Sequence, residues 1–289
     1  MRYQTMRKRH LWLALSAFAC LLLGALPFRT GAAGVVVQHR LTSAILAAAG
    51  EVAEREVSVY VPDGYAGGAT TYPTVYLLHG ATGNNRTFLG AGYPGNMQGV
   101  DVAQIADQLI AGGKLRPLII VLPDMSRAWG HPLPPYDGYL AEEVLPFVDR
   151  TYRTLASRDS RAITGHSEGG HGALHIAFAH ADLFSLVGAY SAGSPGGPLP
   201  DRGEIEAHDQ AAYPLSFWLY VGKNDSFHMI PSLNQELAGL IKAQGLPLVY
   251  SSDQGDHFNH VAERLGESLT FFSERLKFDA DDVGSAPGR

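Results

Sequence analysis

Residues 160–174, SRAITGHSEGGHGAL, contain the segment that decides the fold. Within it, Gly165, Ser167 and Gly169 form the pattern G-x-S-x-G, which follows the apolar residues 162–164 and precedes a run of small residues. Glycine is needed on both sides of the serine because the chain turns sharply there, and a side chain at either position would collide with the turn. The pattern therefore predicts a strand, a tight turn that exposes Ser167 above a sheet, and a helix.

Short apolar runs alternate with helix-like stretches through most of the chain. The predicted strands are residues 74–78, 118–122, 162–164, 186–190, 217–221 and 248–250, and the predicted helices are residues 102–111, 140–152, 170–180, 230–243 and 258–276. This alternation indicates crossover connections and a mostly parallel sheet covered by helices on both faces. Alternating valines at residues 57–61 predict an antiparallel strand. The patterns favour the α/β class and a single domain over residues 34–278.

Two segments interrupt this alternation, residues 127–138 and residues 192–213. The first contains three prolines and two aromatic residues, and the second is rich in glycine, proline and charge, so neither is expected to form a regular element. Both follow the carboxyl ends of predicted strands, where ligands bind in open α/β sheets. We expect the two segments to shape a substrate cleft, with ordinary solvated loops as the alternative.

The first 33 residues have the composition of a secretory signal peptide. They include five basic residues, no acidic residue, an apolar run over residues 11–28 and small residues that predict cleavage after Ala33. An uncleaved membrane anchor and a lipoprotein modified at Cys20 are the alternatives. We expect an exported, secreted or periplasmic protein, with residues 279–289 as a flexible C-terminal tail.

Charge and cysteine content exclude several classes of function. Removal of residues 1–33 leaves 17 basic and 28 acidic residues, a net charge of −11. Nucleic acids and anionic membrane surfaces are therefore poor partners, and no stable membrane insertion is expected after cleavage. Cys20 is the only cysteine and lies inside the predicted signal. Without a thiol, the mature chain could not use thiol catalysis, disulfides or cysteine-ligated zinc.

A reactive serine also needs a base and a carboxylate that orients the base. In chains with this type of turn, the acid and then the histidine follow the serine. Asp225 follows the apolar run 217–221, and His257 follows the run 248–250, so both are placed at the carboxyl ends of predicted strands. We predict Ser167 as nucleophile, Asp225 as orienting acid and His257 as base. The alternatives are His260 as base, and Asp253 or Asp256 as acid.

Two backbone N–H groups are expected to stabilise the oxyanion of such a serine. The N–H of Glu168 lies at the start of the predicted helix, where the helix dipole favours negative charge. The second donor should come from the loop HGATG at residues 79–83, and we assign it to Ala81, with Gly80 as the alternative. Packing or local hydrogen bonding is the expected role of His166 and His171.

The chain resembles the putative-esterase family of α/β-hydrolases, which includes feruloyl and acetyl esterases, S-formylglutathione hydrolases and mycolyltransferases. The resemblance covers residues 54–278 and is carried by the blocks YPTVYLLHGATGNN, QLIAGGKLRPLIIVLPD, LAEEVLPFVDRTYRT, SRAITGHSEGGHGAL, VGKND and GDHFNHVAERL. It implies the α/β-hydrolase fold and a catalytic triad of Ser167, Asp225 and His257. Two residues depart from the family pattern. Glu168 stands where Met or Gln is more common, and Asn259 stands where an aromatic residue is common.

The combined expectation is a secreted serine carboxylesterase that acts through an acyl-enzyme and needs no metal or organic cofactor. An acyltransferase with the same triad is the alternative, in which a sugar or lipid hydroxyl replaces water, and a non-catalytic binding protein is a further one. We expect a small-molecule or carbohydrate-linked ester as substrate, contacted by Trp129, Tyr136 and His228. The alternatives are ordinary loop packing for Trp129 and Tyr136 and a surface position for His228.

Overall fold

The computed structural model describes residues 33–126, 135–194 and 197–279. Within these ranges the strands are β1 (Val35–Thr42), β2 (Glu54–Val61), β3 (Thr74–Leu78), β4 (Ile119–Pro123), β5 (Arg161–His166), β6 (Leu186–Tyr190), β7 (Ser216–Gly222) and β8 (Leu248–Asp253). They form one sheet in the order β1-β2-β4-β3-β5-β6-β7-β8. β2 pairs antiparallel with both β1 and β4, whereas the strands from β3 to β8 are parallel to one another.

The helices connect these strands across the two faces of the sheet. They are α1 (Ala44–Ala48), α2 (Val102–Ala111), α3 (Tyr136–Gly138), α4 (Leu145–Thr151), α5 (Glu168–Ala179), α6 (Arg202–Ala207), α7 (Ile230–Ala243) and α8 (Val261–Arg275). A π-helical turn, Tyr139–Val144, joins α3 to α4, and a short 3₁₀ helix, Arg158–Ser160, precedes β5. Among the described residues, no helix is both long and apolar enough to cross a bilayer.

The hydrophobic core is divided by the sheet into two layers. Adjacent residues of a strand point to opposite faces, so Tyr76 belongs to one buried cluster and Val75 to the other. The first cluster also contains side chains of α4, α5 and α7, and the second contains side chains of α2 and α8. Because both faces are covered, the parallel strands β3 to β7 are buried along nearly their whole length, and most of their residues are apolar, whereas the edge strand β8 is only partly buried.

The predictions of a mostly parallel sheet, helices on both faces and an antiparallel N-terminal edge are confirmed. The predicted bounds of β3, α2, β6 and α7 agree with the structure residue for residue. The edge strand β1 and the short helix α1 were not predicted. Their sequence shows little apolar alternation, and they are held by pairing with β2 and by Ser43, whose side chain accepts a hydrogen bond from the Leu46 N–H.

The expectation that residues 127–138 and 192–213 lack regular structure was wrong in part. Helix α6 lies within the second segment because Asp201 caps it, accepting a hydrogen bond from the N–H of Glu204 at 2.9 Å. Helix α3 lies at the end of the first segment and follows Pro135, a position where a missing N–H costs nothing. Residues 127–134, together with the predicted signal peptide up to residue 32, lie outside the described residues.

The final helix begins three residues later than predicted, at Val261. The carboxylate of Asp256 accepts hydrogen bonds from the N–H groups of Phe258 and Asn259, which holds these residues in a turn. His260 then has a left-handed backbone with φ 61°, so it precedes the helix instead of lying on one of its faces. The turn places His257 in a loop above the end of β8.

Candidate active site

Ser167 lies at the turn between β5 and α5, in a strained conformation with φ 58° and ψ −123°. The flanking glycines are required by close backbone contacts. A Cβ atom on Gly165 would lie 2.3 Å from the backbone of Gly169, and a Cβ atom on Gly169 would lie 2.3 Å from the carbonyl oxygen of Leu78. The backbone around Ser167 is therefore packed so closely that only glycine fits at positions 165 and 169, and this packing holds the serine in its strained conformation.

This packing predicts a large difference between two glycine-to-alanine substitutions. Gly169→Ala should lower the free energy of unfolding by about 3 kcal/mol or more, because the new methyl group meets backbone that cannot move aside. Gly239→Ala in α7 should raise it by about 0.5–1 kcal/mol, because no atom lies within 4 Å of the added methyl group. Urea denaturation of both variants measures the two values. Equal free energies of unfolding for Gly169→Ala and Gly239→Ala would contradict the close backbone contacts of Gly169.

Asp225 and His257 are brought together from loops that follow β7 and β8. The Nδ1–H of His257 donates a hydrogen bond of 2.7 Å to Oδ2 of Asp225, and both side chains are almost completely buried. The other carboxylate oxygen of Asp225 accepts from the N–H of Phe227 at 2.9 Å. Both oxygens of the acid are therefore fixed, and the ring of His257 presents Nε2 away from the acid.

Three aromatic rings surround the ring of His257. Their centroids lie 4.7 Å away for Phe227, 4.8 Å away for Phe258 and 4.7 Å away for His166. Phe227 and Phe258 meet the imidazole edge to face, which restricts its rotation. The orientation of the base is thus set by packing as well as by its hydrogen bond to Asp225.

His166 ties the base to the strand that carries the serine. Its Nε2–H donates to the backbone carbonyl of His257 at 2.7 Å, so its Nδ1 is left to accept a hydrogen bond from the hydroxyl of Tyr93, 3.2 Å away. The hydroxyl of Tyr93 in turn accepts from the N–H of Gly80 at 2.6 Å. The network requires neutral His166, and burial together with the nearby His257 lowers the pKa of His166 to about 3.

The buried neutral state of His166 predicts that the fold loses stability in acid. An unfolded histidine has a pKa of about 6.5, so below that pH the unfolded chain binds a proton that the folded chain refuses. His166 should therefore lower the free energy of unfolding by up to about 1.4 kcal/mol per pH unit as the pH falls from about 6 toward 3. Urea denaturation between pH 7 and pH 4 should show a steeper decline for the wild type than for His166→Asn. Equal slopes, or an imidazolium NMR signal from His166 at pH 5, would contradict this assignment.

The alternative acids and the alternative base have other partners. The carboxylate of Asp253 accepts hydrogen bonds from Tyr220, Arg264 and His260, at 2.7, 2.6 and 3.2 Å. Asp256 caps the turn that follows it. His260 is about two-fifths exposed and pairs with Asp253. The structure therefore brings Asp225, and neither Asp253 nor Asp256, to the ring of His257.

The two N–H groups predicted to form an oxyanion hole lie beside Ser167. Ala81 and Glu168 line one cavity together with Ser167, and within the described ranges neither backbone N–H has a hydrogen-bond partner in the protein. The alternative donor Gly80 is occupied, because its N–H donates to Tyr93. The geometry thus leaves Ala81 and Glu168 as the available donors.

Ser167 stands between two cavities. The larger, of about 400 Å³, is lined by Ala81, Ser167, Glu168, Gly193, Ser194, Phe227, Met229, Ile230 and Leu233. The smaller, of about 180 Å³, is lined by Ala81, Thr82, Tyr93, Pro94, Asn96, His166, Ser167, Phe227, His257 and Phe258. Ser167, Ala81 and Phe227 belong to both, so a bound molecule could extend from the serine in two directions. A still larger groove between α2 and α8 contains none of these residues.

Two of the residues predicted to contact substrate lie elsewhere, and a third is not described. Tyr136 is fully buried in the core, where its hydroxyl accepts a long hydrogen bond of 3.4 Å from Arg55, because α3 turns it inward. His228 is exposed, and the walls of the larger cavity are formed by its neighbours Phe227 and Met229. Trp129 lies outside the described residues.

Sequence reasoning missed the apolar wall of the larger cavity and the role of Tyr93. The wall comes from the residues directly after Asp225, and the only signal in the sequence is that two large apolar residues, Phe227 and Met229, stand in a loop beside the predicted acid. Tyr93 stands in a glycine-rich loop, residues 90–99, whose irregular backbone offers no periodic pattern. In the described part of the chain, no group of three or more His, Cys, Asp or Glu residues is arranged to hold a metal ion.

Comparison with known proteins gives a family match and several related sequences. A family model described as Putative esterase matches residues 52–237, more than half of the chain. Esterase MT1326 of Mycobacterium tuberculosis is 34% identical over 143 residues, which cover 47% of this chain and 28% of that protein. An endo-1,4-beta-xylanase/feruloyl esterase of Xylanibacter ruminicola is 28% identical over 232 residues, which cover 73% of this chain and 29% of that protein. The chain thus spans less than a third of either relative.

Comparison with solved structures shows the same fold in a ferulic acid esterase. The two structures superpose with a TM-score of 0.71 at 24% sequence identity, over 84% of this chain and 99% of the other. The predicted α/β-hydrolase fold is thereby confirmed.

Proposed function

This chain belongs to the esterase family, and from that premise we propose that it is an exported serine carboxylesterase. Ser167 is the nucleophile, His257 is the general base and acid, and Asp225 orients the imidazole. The observation that carries the proposal is the 2.7 Å hydrogen bond between Nδ1 of His257 and Oδ2 of Asp225, two residues 32 positions apart. This bond selects the imidazole tautomer whose Nε2 can accept a proton.

The reaction follows from the positions of these groups. The hydroxyl of Ser167 attacks the ester carbonyl while Nε2 of His257 takes its proton. The negative charge that develops on the carbonyl oxygen is stabilised by the N–H groups of Ala81 and Glu168, the latter at the amino end of α5. His257 then returns the proton to the leaving alcohol, and water releases the acid from Ser167 in a second cycle of the same kind.

The alcohol and acyl parts of the ester are assigned to different cavities. The leaving alcohol receives its proton from His257, so it must lie on the side of Ser167 where the small cavity contains that ring. The acyl group then extends into the larger cavity beside Glu168. Most side chains of that cavity are apolar, which favours an apolar or aromatic acyl group, and a relative whose name includes feruloyl esterase supports the same choice.

Export is supported by the sequence of residues 1–33 and by the position of Gly34. The backbone nitrogen of Gly34 lies 3.0 Å from a carboxylate oxygen of Asp107. Cleavage after Ala33 would give this nitrogen a positive charge, and Asp107 would then pair with the new terminus. N-terminal sequencing of the exported protein should begin at Gly34, and a protein that retains Met1 would contradict cleavage.

Hydrolysis and acyl transfer are separated by product analysis. The purified protein should release free acid from p-nitrophenyl butyrate, and added glucose or glycerol should leave the acid as the main product. A dominant transfer product would replace the hydrolase proposal with the acyltransferase alternative. Absence of both products from every ester tested, over acyl chains of two to twelve carbons, would contradict both.

A further inference from the structure

Glu168 combines a position beside the nucleophile with an incompletely bonded, buried carboxyl group. The residue is only 2% exposed, and it is one of those that line the larger cavity. Oε1 accepts a hydrogen bond of 3.1 Å from the hydroxyl of Ser194. Oε2 is buried, and among the described residues it has no hydrogen-bond partner.

A buried polar atom without a partner is unfavourable, and such an atom in a native site calls for a ligand or another explanation. The terminal torsion of a Glu side chain is soft, so a small rotation of the carboxyl group can turn Oε2 toward the cavity. Burial also raises the pKa of Glu168 to about 7. Near neutral pH the carboxyl group is therefore present both as an acceptor and, when protonated, as a donor.

The surroundings make Glu168 the main polar feature of the acyl side. Apart from the nucleophile, Glu168 and Ser194, the described residues that line the cavity are glycine or apolar, namely Ala81, Gly193, Phe227, Met229, Ile230 and Leu233. A hydrocarbon acyl group would fill this space but leave Oε2 unpaired. A hydroxyl group on the acyl chain could donate to the ionised carboxylate or accept from the protonated acid, so it suits both states.

We propose that Glu168 is a specificity-determining residue, whose carboxyl group hydrogen-bonds a hydroxyl group carried by the acyl part of the ester. The preferred substrates are then esters of hydroxylated, otherwise apolar acids. This inference rests on the proposed esterase function, since it assigns the acyl group to the larger cavity. The backbone N–H of Glu168 serves the oxyanion in every ester, whereas its side chain discriminates between acids.

Matched substrate pairs test the inference. Each pair consists of two methyl esters that differ by a hydroxyl group in place of a methyl group. One pair is 4-hydroxycinnamate and 4-methylcinnamate, and the others are ω-hydroxy acids of six to nine carbons with the corresponding unsubstituted acids one carbon longer. The readout is the ratio of kcat/KM within a pair at pH 7, which is independent of the overall activity of a preparation. The wild type should prefer the hydroxylated member about fivefold or more in at least one pair.

Three variants identify the side chain responsible. Glu168→Met is similar in size but apolar, so the hydroxyl preference should disappear and the ratio should fall to about one or below. Glu168→Gln offers both a donor and an acceptor, so it should retain most of the preference. Glu263→Gln, at the start of α8 and away from the cavity that Glu168 lines, is the matched control and should keep the wild-type ratio.

The outcomes separate this inference from the proposed function. A wild-type ratio near one in all pairs, or a preference that survives in Glu168→Met, overturns the role of Glu168 while hydrolysis of the esters leaves the esterase function standing. If Glu168→Met does not fold, the wild-type ratio and the ratio of Glu168→Gln still test the inference. Loss of the hydroxyl preference in the Glu168→Gln variant would contradict the proposed hydrogen bond. Failure of the wild type to hydrolyse any ester counts against the proposed function itself.

Discussion

Ser167→Ala is expected to lower kcat/KM for p-nitrophenyl butyrate by about 10⁴-fold or more, because the acyl-enzyme cannot form without the hydroxyl group. The fold should survive, since Ala has no atom beyond Cβ and accepts the strained φ of 58° no worse than Ser does. Hydrolysis rates and circular dichroism measured on the same preparation check both parts. The residual rate should reflect only binding and the two oxyanion donors.

A serine far from the site provides the matched control. Ser185 directly precedes β6, at the opposite end of that strand from Tyr190, and its hydroxyl donates a long hydrogen bond of 3.4 Å to the backbone carbonyl of Arg161. Ser185→Ala should therefore change kcat/KM by less than about twofold. The assignment of the nucleophile would be wrong if a folded Ser167→Ala retained more than about a hundredth of the wild-type rate.

Asp225→Asn is expected to lower kcat by about 10³- to 10⁴-fold with little change in KM. Oδ1 would keep its bond to the N–H of Phe227, which leaves the amide nitrogen facing Nδ1 of His257. An amide nitrogen only donates, so the ring would place its proton on Nε2, where it could no longer accept the proton of Ser167. Steady-state kinetics with p-nitrophenyl butyrate at pH 7.5 give both parameters.

Asp253→Asn tests the competing acid at the end of β8. Asp253 binds Tyr220, Arg264 and the N–H of Gly255, so its replacement should loosen the loop but leave the tautomer of His257 unchanged. We expect kcat to fall by less than about tenfold, in line with a surface ion pair of modest strength. A greater loss in Asp253→Asn than in Asp225→Asn would reverse the assignment of the acid.

Most of the central sheet could be predicted because its strands are buried on both faces and read as uninterrupted apolar runs. For the strand β3 at Thr74–Leu78 and the helix α7 at Ile230–Ala243, the hydrophobic pattern predicted both ends of the element correctly. Helix α6 was not predicted because one capping residue, Asp201, outweighed a composition typical of loops. The π-helical turn at Tyr139–Val144 left no sign in the sequence, since its residues also suit an ordinary helix.

The residues proposed for the site were identifiable because each follows a strand at the same edge of the sheet. Ser167, Asp225 and His257 lie directly beyond β5, β7 and β8, and the parallel direction of these strands brings their carboxyl ends to the same edge of the sheet. The cavity walls were harder to predict, because Phe227 and Met229 depend on how a short irregular turn directs their side chains. The link from Tyr93 through His166 to the backbone of His257 was also hidden, since it joins three distant segments by single hydrogen bonds.

The central claim is that the hydroxyl of Ser167 is made nucleophilic by the paired His257 and Asp225. The most direct measurement is peptide mapping by mass spectrometry after treatment with a fluorophosphonate. The account predicts one phosphonyl group per molecule, located on Ser167, with activity lost in proportion to labelling and with much slower labelling of Asp225→Asn. Full esterase activity with Ser167 unmodified, or a stoichiometric adduct on another residue, would contradict it.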